Sequence, residues 1–197
     1  MLADERALLE RAAPQRVRQL AAGRVCARRA AAQFGIKESA ITMRADRRPR
    51  WPMFLTGSIT HTGGFAAAAV GERQNYRAIG IDAERIGSIS RDIWTHVLLP
   101  IEMERLRRVE VSRRATIAAL IFSAKEAFYK CQYEVTGQWL EFTDVTVDVC
   151  DEAADRGSFA VHPVGRVELF KSENRPARGR FAVVDSLVLT AIVATAR

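Results

Sequence analysis

The chain has 197 residues, 48% of them hydrophobic, with a formal net charge of +7, which is ample for a packed core in one large domain or two small ones. No run approaches the ~18–20 apolar residues of a membrane helix, and the opening MLADERALLER lacks a signal peptide's apolar core, so no membrane span and a cytoplasmic location are expected. Residues 1–50 hold 12 Lys and Arg against 5 Asp and Glu while the remainder balances; this points to an anionic partner there, for which nucleic acid is one candidate, but aromatics are sparse and not interleaved with the charge, and a small polyphosphate ligand or an acidic partner protein fits at least as well.

After Pro14, residues 15–34 predict a helix with Val17, Leu20, Ala21, Ala27, Ala31 and Phe34 toward the core, its arginines on the other faces, and Gly35 closing it. Two prolines and four arginines make 41–57 a strand end running into an irregular loop. The segment GSITHTGGF, 57–65, reads as a turn that crowds hydroxyls, an imidazole and flexible backbone together as donors for a phosphate. Strands follow at 65–70 and 78–82 around the polar turn ERQN. Pro100 opens a helix to about Val109, and Ser112 is placed to cap a longer one from Arg113 to about Gln132. Strand-like segments return at 142–150, 158–163, 180–185 and 187–196.

This order predicts an α+β fold of two halves, 1–88 and 89–197. Cys26, Cys131 and Cys150 form no CxxC pair and read as reduced, mostly buried thiols.

Three groups carry chemistry. Asp82 and Glu84 in AIGIDAERI point to one side of an extended strand, and two crowded carboxylates favour a cation such as Mg²⁺. Removing one of them is expected to leave the fold intact or slightly more stable. Glu126 shares a helix face with Phe122, Tyr129 and Lys130. His61 is the one histidine with polar, flexible neighbours.

In this order, and behind a basic first quarter, GSITH, GIDAE and FSAKEAFYK resemble the signature of the 4'-phosphopantetheinyl transferases. The likeness is to the stand-alone type serving siderophore, nonribosomal-peptide and polyketide synthesis, similar to enterobactin-synthase component D. GRVCARRAAAQFG, PRWP, WLEFTDV and GRFAVVDSLVLTAIV extend the resemblance over about residues 14–195. Departures are Thr60 where serine is frequent, Met53-Phe54-Leu55 where a glycine turn is frequent, and Ala127 in place of a common serine.

The resemblance implies transfer of phosphopantetheine from coenzyme A to a serine of an acidic apo carrier protein, releasing 3',5'-ADP. It implies two halves related by a pseudo-twofold axis, each a long helix on a small antiparallel sheet, acting as a monomer. Asp82, Glu84, Glu126 and the Ala83 carbonyl would hold Mg²⁺, or Mn²⁺ in its place. Lys130 would meet the transferred phosphate with Lys125 assisting, and Thr60 and His61 would donate to coenzyme A phosphates. Arg16, Arg24, Arg28 and Arg44 would take the 3'-phosphate and adenine end, with Arg47, Arg48 and Arg50 as surplus charge at the mouth. Glu126 is the first choice of base, with His61 or a water on the metal as alternatives. Phe54 and Leu55, apolar in a loop, are proposed to touch the carrier. A metal-dependent phosphohydrolase and a non-catalytic nucleic-acid-binding module would draw on the same residues.

Overall fold

The computed structural model describes residues 2–6, 13–36, 39–153, 155–164 and 176–196. A short helix α1 (Ala3–Arg6) precedes α2 (Pro14–Ala32), which Pro14 opens without a side-chain cap. The strands β1 (Leu55–Thr62) and β2 (Phe65–Glu72) pair antiparallel about Gly63 and Gly64. Both glycines have positive φ, 42° and 91°, as a two-residue turn that follows strand twist requires. The structure thus corrects the reading of GSITHT as a turn. Its β-branched Ile59, Thr60 and Thr62 extend as strand, and only the Gly-Gly pair turns.

Next come β3 (Tyr76–Arg85), α3 (Arg91–Val97), α4 (Pro100–Arg108) and α5 (Arg114–Thr136). The sequence reading missed α3, a helix of only 7 residues. Ser112 does not cap α5; it sits in a 3₁₀ turn and donates to Glu110. Gly137 ends α5 in the left-handed conformation, φ 65°. The strands β4 (Val145–Ala153), β5 (Arg156–Pro163), β6 (Ala177–Val184) and β7 (Leu187–Thr195) complete an antiparallel sheet in the order β3-β7-β6-β5-β4.

The architecture is α+β, with a long helix on a small antiparallel sheet occurring twice. On one side α2 covers β1 and β2 around Ala27, Ile41 and Trp51. On the other, the apolar face of α5, with Leu120, Ala124 and Phe128, closes on Val147, Phe159, Val188 and Ile192 of the five-stranded sheet. β3, which the sequence places in the first half, is laddered to β7 of the second. β1 lies beside β3 without belonging to the same sheet. Side-chain hydroxyls join them instead: Ile81 N–H donates to Ser58 Oγ and Ala83 N–H to Thr60 Oγ1, each at 3.1 Å. Among the described residues no helix is long and apolar enough to cross a membrane. Cys131 is buried, which pushes its thiol up to about 12, whereas Cys150 is exposed, contrary to expectation.

Candidate active site

Gly80 on β3 sets the distance between sheet and helix: a Cβ there would lie 1.9 Å from the Ala127 carbonyl oxygen. The close approach lays the Glu126–Lys130 face of α5 over the Asp82–Glu84 face of β3. Lys130 Nζ donates to Asp82 Oδ1 at 2.7 Å and to the Ile81 carbonyl at 3.2 Å. Thr60 donates to the same Oδ1 at 3.0 Å. Oδ2 of Asp82 is buried with no hydrogen-bond partner. Glu84 accepts from Ser88 Oγ at 2.7 Å. Burial pushes the Glu126 carboxyl above its ordinary value, Asp82 and Glu84 push it further, and Lys130 pulls against them. The three carboxylates therefore face one another across the seam. They do not close into a cage: among the described residues no three His, Cys, Asp or Glu side chains are grouped to hold a metal.

A cleft of about 640 Å³ opens beside this seam, with Arg16, Arg24, Arg47, Arg48, His61 and Lys130 in its walls. Gly23 lets α2 approach β1, since a Cβ there would lie 2.8 Å from Ile59 Cγ2. Arg24 is turned inward, 5% exposed, and its Nε has no partner. Arg16 Nη1 lies 3.1 Å from His61 Nε2. A guanidinium only donates, so Nε2 accepts and the imidazole carries its proton on Nδ1, which is buried without a partner. Burial, with Arg16 and Lys130 nearby, lowers the His61 pKa and keeps the ring neutral.

A second groove of about 370 Å³ runs past Glu126 between Phe128, Tyr129, Leu140, Phe142 and Val145. Tyr129 and Trp139 line both spaces, their rings edge to face at 5.2 Å. The Tyr129 hydroxyl is pushed up to about 12 by burial, Tyr133 and Glu126, and stays protonated. Glu126 thus borders the apolar groove, and Lys130, one turn on, borders the arginine-lined cleft.

Residues 4–71 match the family described as 4'-phosphopantetheinyl transferase N-terminal domain, and residues 78–186 match the 4'-phosphopantetheinyl transferase superfamily. The chain belongs to that superfamily. It is similar to the 4'-phosphopantetheinyl transferase Npt of Nocardia iowensis, 33% identical over 95% of this chain and 86% of the relative. PptT of Mycobacterium tuberculosis is 33% identical over 98% of this chain and 85% of its own length. Enterobactin synthase component D of Escherichia coli is 34% identical over 63% of this chain and 58% of its own. Membership of a transferase superfamily disfavours the phosphohydrolase and nucleic-acid readings.

Of the residues expected to serve a phosphopantetheinyl transferase site, Asp82, Glu84, Glu126 and Lys130 gather at the seam. Arg16, Arg24 and His61 line the cleft. Ala83 is buried and gives its N–H to Thr60 of β1; a strand residue's N–H and C=O share a side, so its carbonyl faces the β1 edge of β3.

Four residues expected to contact the ligand hold other partners in this structure. Thr60 gives its one proton to Asp82 and so positions that carboxylate. Lys125 is 2% exposed and spends all three protons on Glu102 and the Val97 and Phe142 carbonyls. Arg28 pairs with buried Glu5. Arg44 leans on Glu134 at 3.6 Å and is not among the cleft-lining residues.

Two expectations about exposure also change. Arg24 lies on the buried face of α2, although the helix pattern put the arginines elsewhere. Leu55 is fully buried, which leaves Met53 and Phe54, 93% and 47% exposed, as the apolar residues of that loop.

The sequence reading missed Tyr133, Glu134 and Trp139 as cleft residues. Tyr133 and Glu134 follow Glu126 by seven and eight positions, so the helical period could have found them. Trp139 lies beyond the helix, where no period applies.

Proposed function

We propose that this protein transfers the 4'-phosphopantetheine group of coenzyme A to a serine hydroxyl of an apo carrier protein. The observation that carries the reading is the adjacency of two unlike spaces that share Tyr129 and Trp139 in their walls. An arginine-lined cleft suits the phosphorylated nucleotide, and an apolar groove sharing Tyr129 and Trp139 suits the neutral pantetheine arm. The diphosphate linking those two parts of coenzyme A then falls at Glu126 and Lys130. The carrier's serine oxygen attacks the phosphorus bearing pantetheine, the bond to the bridging oxygen breaks, and 3',5'-ADP leaves. The serine proton passes to a base. Glu126 suits that task because its raised pKa favours taking a proton. Lys130 balances charge on the phosphate, and neutral His61 stands beside it in the cleft wall, held by Arg16.

A divalent cation such as Mg²⁺ suits the seam, since Asp82 Oδ2 is buried and unpartnered and three hard-oxygen carboxylates repel one another there. Asp82, Glu84 and Glu126, with the Ala83 carbonyl, would hold it, and when bound it supplies neutralising charge to the diphosphate. The net charge of +7 and exposed Met53 and Phe54 support an acidic carrier with an apolar contact beside its serine.

The test incubates the protein with coenzyme A, Mg²⁺ and apo carrier domains from several pathways and weighs the carriers. A gain of one phosphopantetheine with release of 3',5'-ADP is expected, with no cleavage of coenzyme A when the carrier is omitted. Cleavage without an acceptor would establish a hydrolase instead.

A further inference from the structure

Residues 42–50 form a tight loop built from its own backbone. Arg44 N–H donates to the Arg48 carbonyl, Arg47 N–H to that of Arg44, and Arg50 N–H to that of Thr42. Arg47 adopts φ 69°, a left-handed conformation that a bulky residue takes only where its surroundings impose it. The loop supplies Met43, Asp46, Arg47, Arg48 and Pro49 to the cleft wall. What fastens it lies on α5. Glu134, with a side chain 12% exposed, takes Arg48 at 3.0 Å, Arg73 at 3.1 Å and Arg44 at 3.6 Å. Arg48 also donates to the Tyr133 carbonyl at 3.2 Å and lies over the Tyr133 ring at 4.9 Å.

One carboxylate therefore collects three arginines from two segments of the first half and ties them to the helix that carries Glu126 and Lys130. Without it the three guanidiniums would repel one another. Asp46 does not replace it, because Asp46 reaches Arg48 from within the same loop.

We propose that Glu134 is a positioning residue for coenzyme A: it holds the 42–50 loop against α5 so that Arg48 and its neighbours form the cleft wall. The inference rests on the reading of the cleft as the coenzyme A site. It predicts a sign opposite to simple electrostatics. A carboxylate that merely stood in the cleft would repel a polyphosphate, and removing it would tighten binding. A carboxylate that builds the wall weakens binding when removed.

Two variants separate these cases. Glu134→Gln keeps the shape and removes the charge; Glu134→Asp keeps the charge and shortens the reach. In a transfer assay on the full chain, both are expected to raise KM for coenzyme A, the Gln variant by about tenfold, the loss of roughly one charge-assisted contact. The expected kcat stays within about twofold, KM for the carrier is unchanged, and amide exchange at 44, 47, 48 and 50 is faster. A lower or unaltered KM for coenzyme A in a variant that melts cooperatively overturns the proposal, as does a parallel fall in kcat with unaltered exchange in the loop. If Glu134→Gln does not melt cooperatively, the Asp variant decides alone, because the charge-only account predicts no change for it. Failure of the wild-type chain to use coenzyme A would overturn the functional reading itself, which these variants do not touch.

Discussion

Lys130 of α5 and Asp82 of β3 form an ion pair at 2.7 Å that spans the seam between the helix and the sheet. The pair reverses one expectation from sequence. Asp82 and Glu84 do crowd one another, but Asp82 is also the acceptor for Lys130 and Thr60. Asp82→Asn should therefore lower stability by about 1–2 kcal/mol, leaving a half-buried ammonium without its anion, and should cut transfer by at least about a hundredfold. Chemical denaturation alongside the transfer assay checks both; a more stable variant would mean that carboxylate repulsion outweighs the ion pair.

Gly80→Ala should push α5 off β3, because the new methyl meets the Ala127 carbonyl at 1.9 Å with only backbone there to yield. A cost of about 1–3 kcal/mol is expected, with loss of transfer at temperatures where the variant is still folded. Full activity in a normally stable variant would show that the seam tolerates a wider gap.

Dephospho-coenzyme A, which lacks the 3'-phosphate, distinguishes the two ends of the site. Arg24→Gln should weaken coenzyme A binding by about tenfold or more and dephospho-coenzyme A far less. Trp139→Ala should weaken both alike, since an indole shared by the groove and the cleft meets the pantetheine arm in either ligand. Calorimetric titration with the two ligands reads the difference, and equal losses for Arg24→Gln would move that arginine away from the 3'-phosphate.

Lys125→Met should act on folding alone. It leaves Glu102, which is fully buried, as an uncompensated charge and should cost about 3–5 kcal/mol. Protein that remains folded should keep its KM for coenzyme A. A raised KM at unchanged stability would restore Lys125 to the ligand site.

Glu5 fastens α1 to α2. Burial alone would push its carboxyl up, but hydrogen bonds from Arg28 and the Leu2 and Ile41 N–H groups outweigh it and lower the pKa. A lowered folded-state pKa means stabilisation that is present above the unfolded value near 4.5 and lost as pH falls through the folded one. Glu5→Gln should thus lower stability by about 1–2 kcal/mol at pH 7, and its melting curve should converge with that of the wild type in acid. A pH-independent gap would show that packing, not charge, is what Glu5 contributes.

Much of the site was legible in the chain itself. Asp82 and Glu84 alternate with apolar residues at period two, and Glu126 and Lys130 stand one helical turn apart, so spacing alone assigns each pair to a shared side. Pro14 and Gly35 mark helix ends because backbone freedom at Pro and Gly is a local property, whereas the reading stops α5 at about Gln132, one turn short of Gly137. Where a weak period met a stronger composition cue the reading failed: glycine and threonine in GSITHTGGF suggested a turn, although β-branched alternation made a strand of it.

What the sequence alone determined, then, was the set of groups with chemistry and the elements that carry them, since both depend on residues a few positions apart. Which of those groups face the ligand was decided by tertiary contacts. Lys125 and Lys130 are neighbours on one helix, yet one finds Glu102 of α4 in the core and the other Asp82 of β3 at the seam. Arg24 and Arg28 lie one turn apart, yet one lines the cleft and the other meets Glu5. A long cationic side chain pairs with whichever anion the packing brings within reach, and that anion is supplied by a different part of the chain.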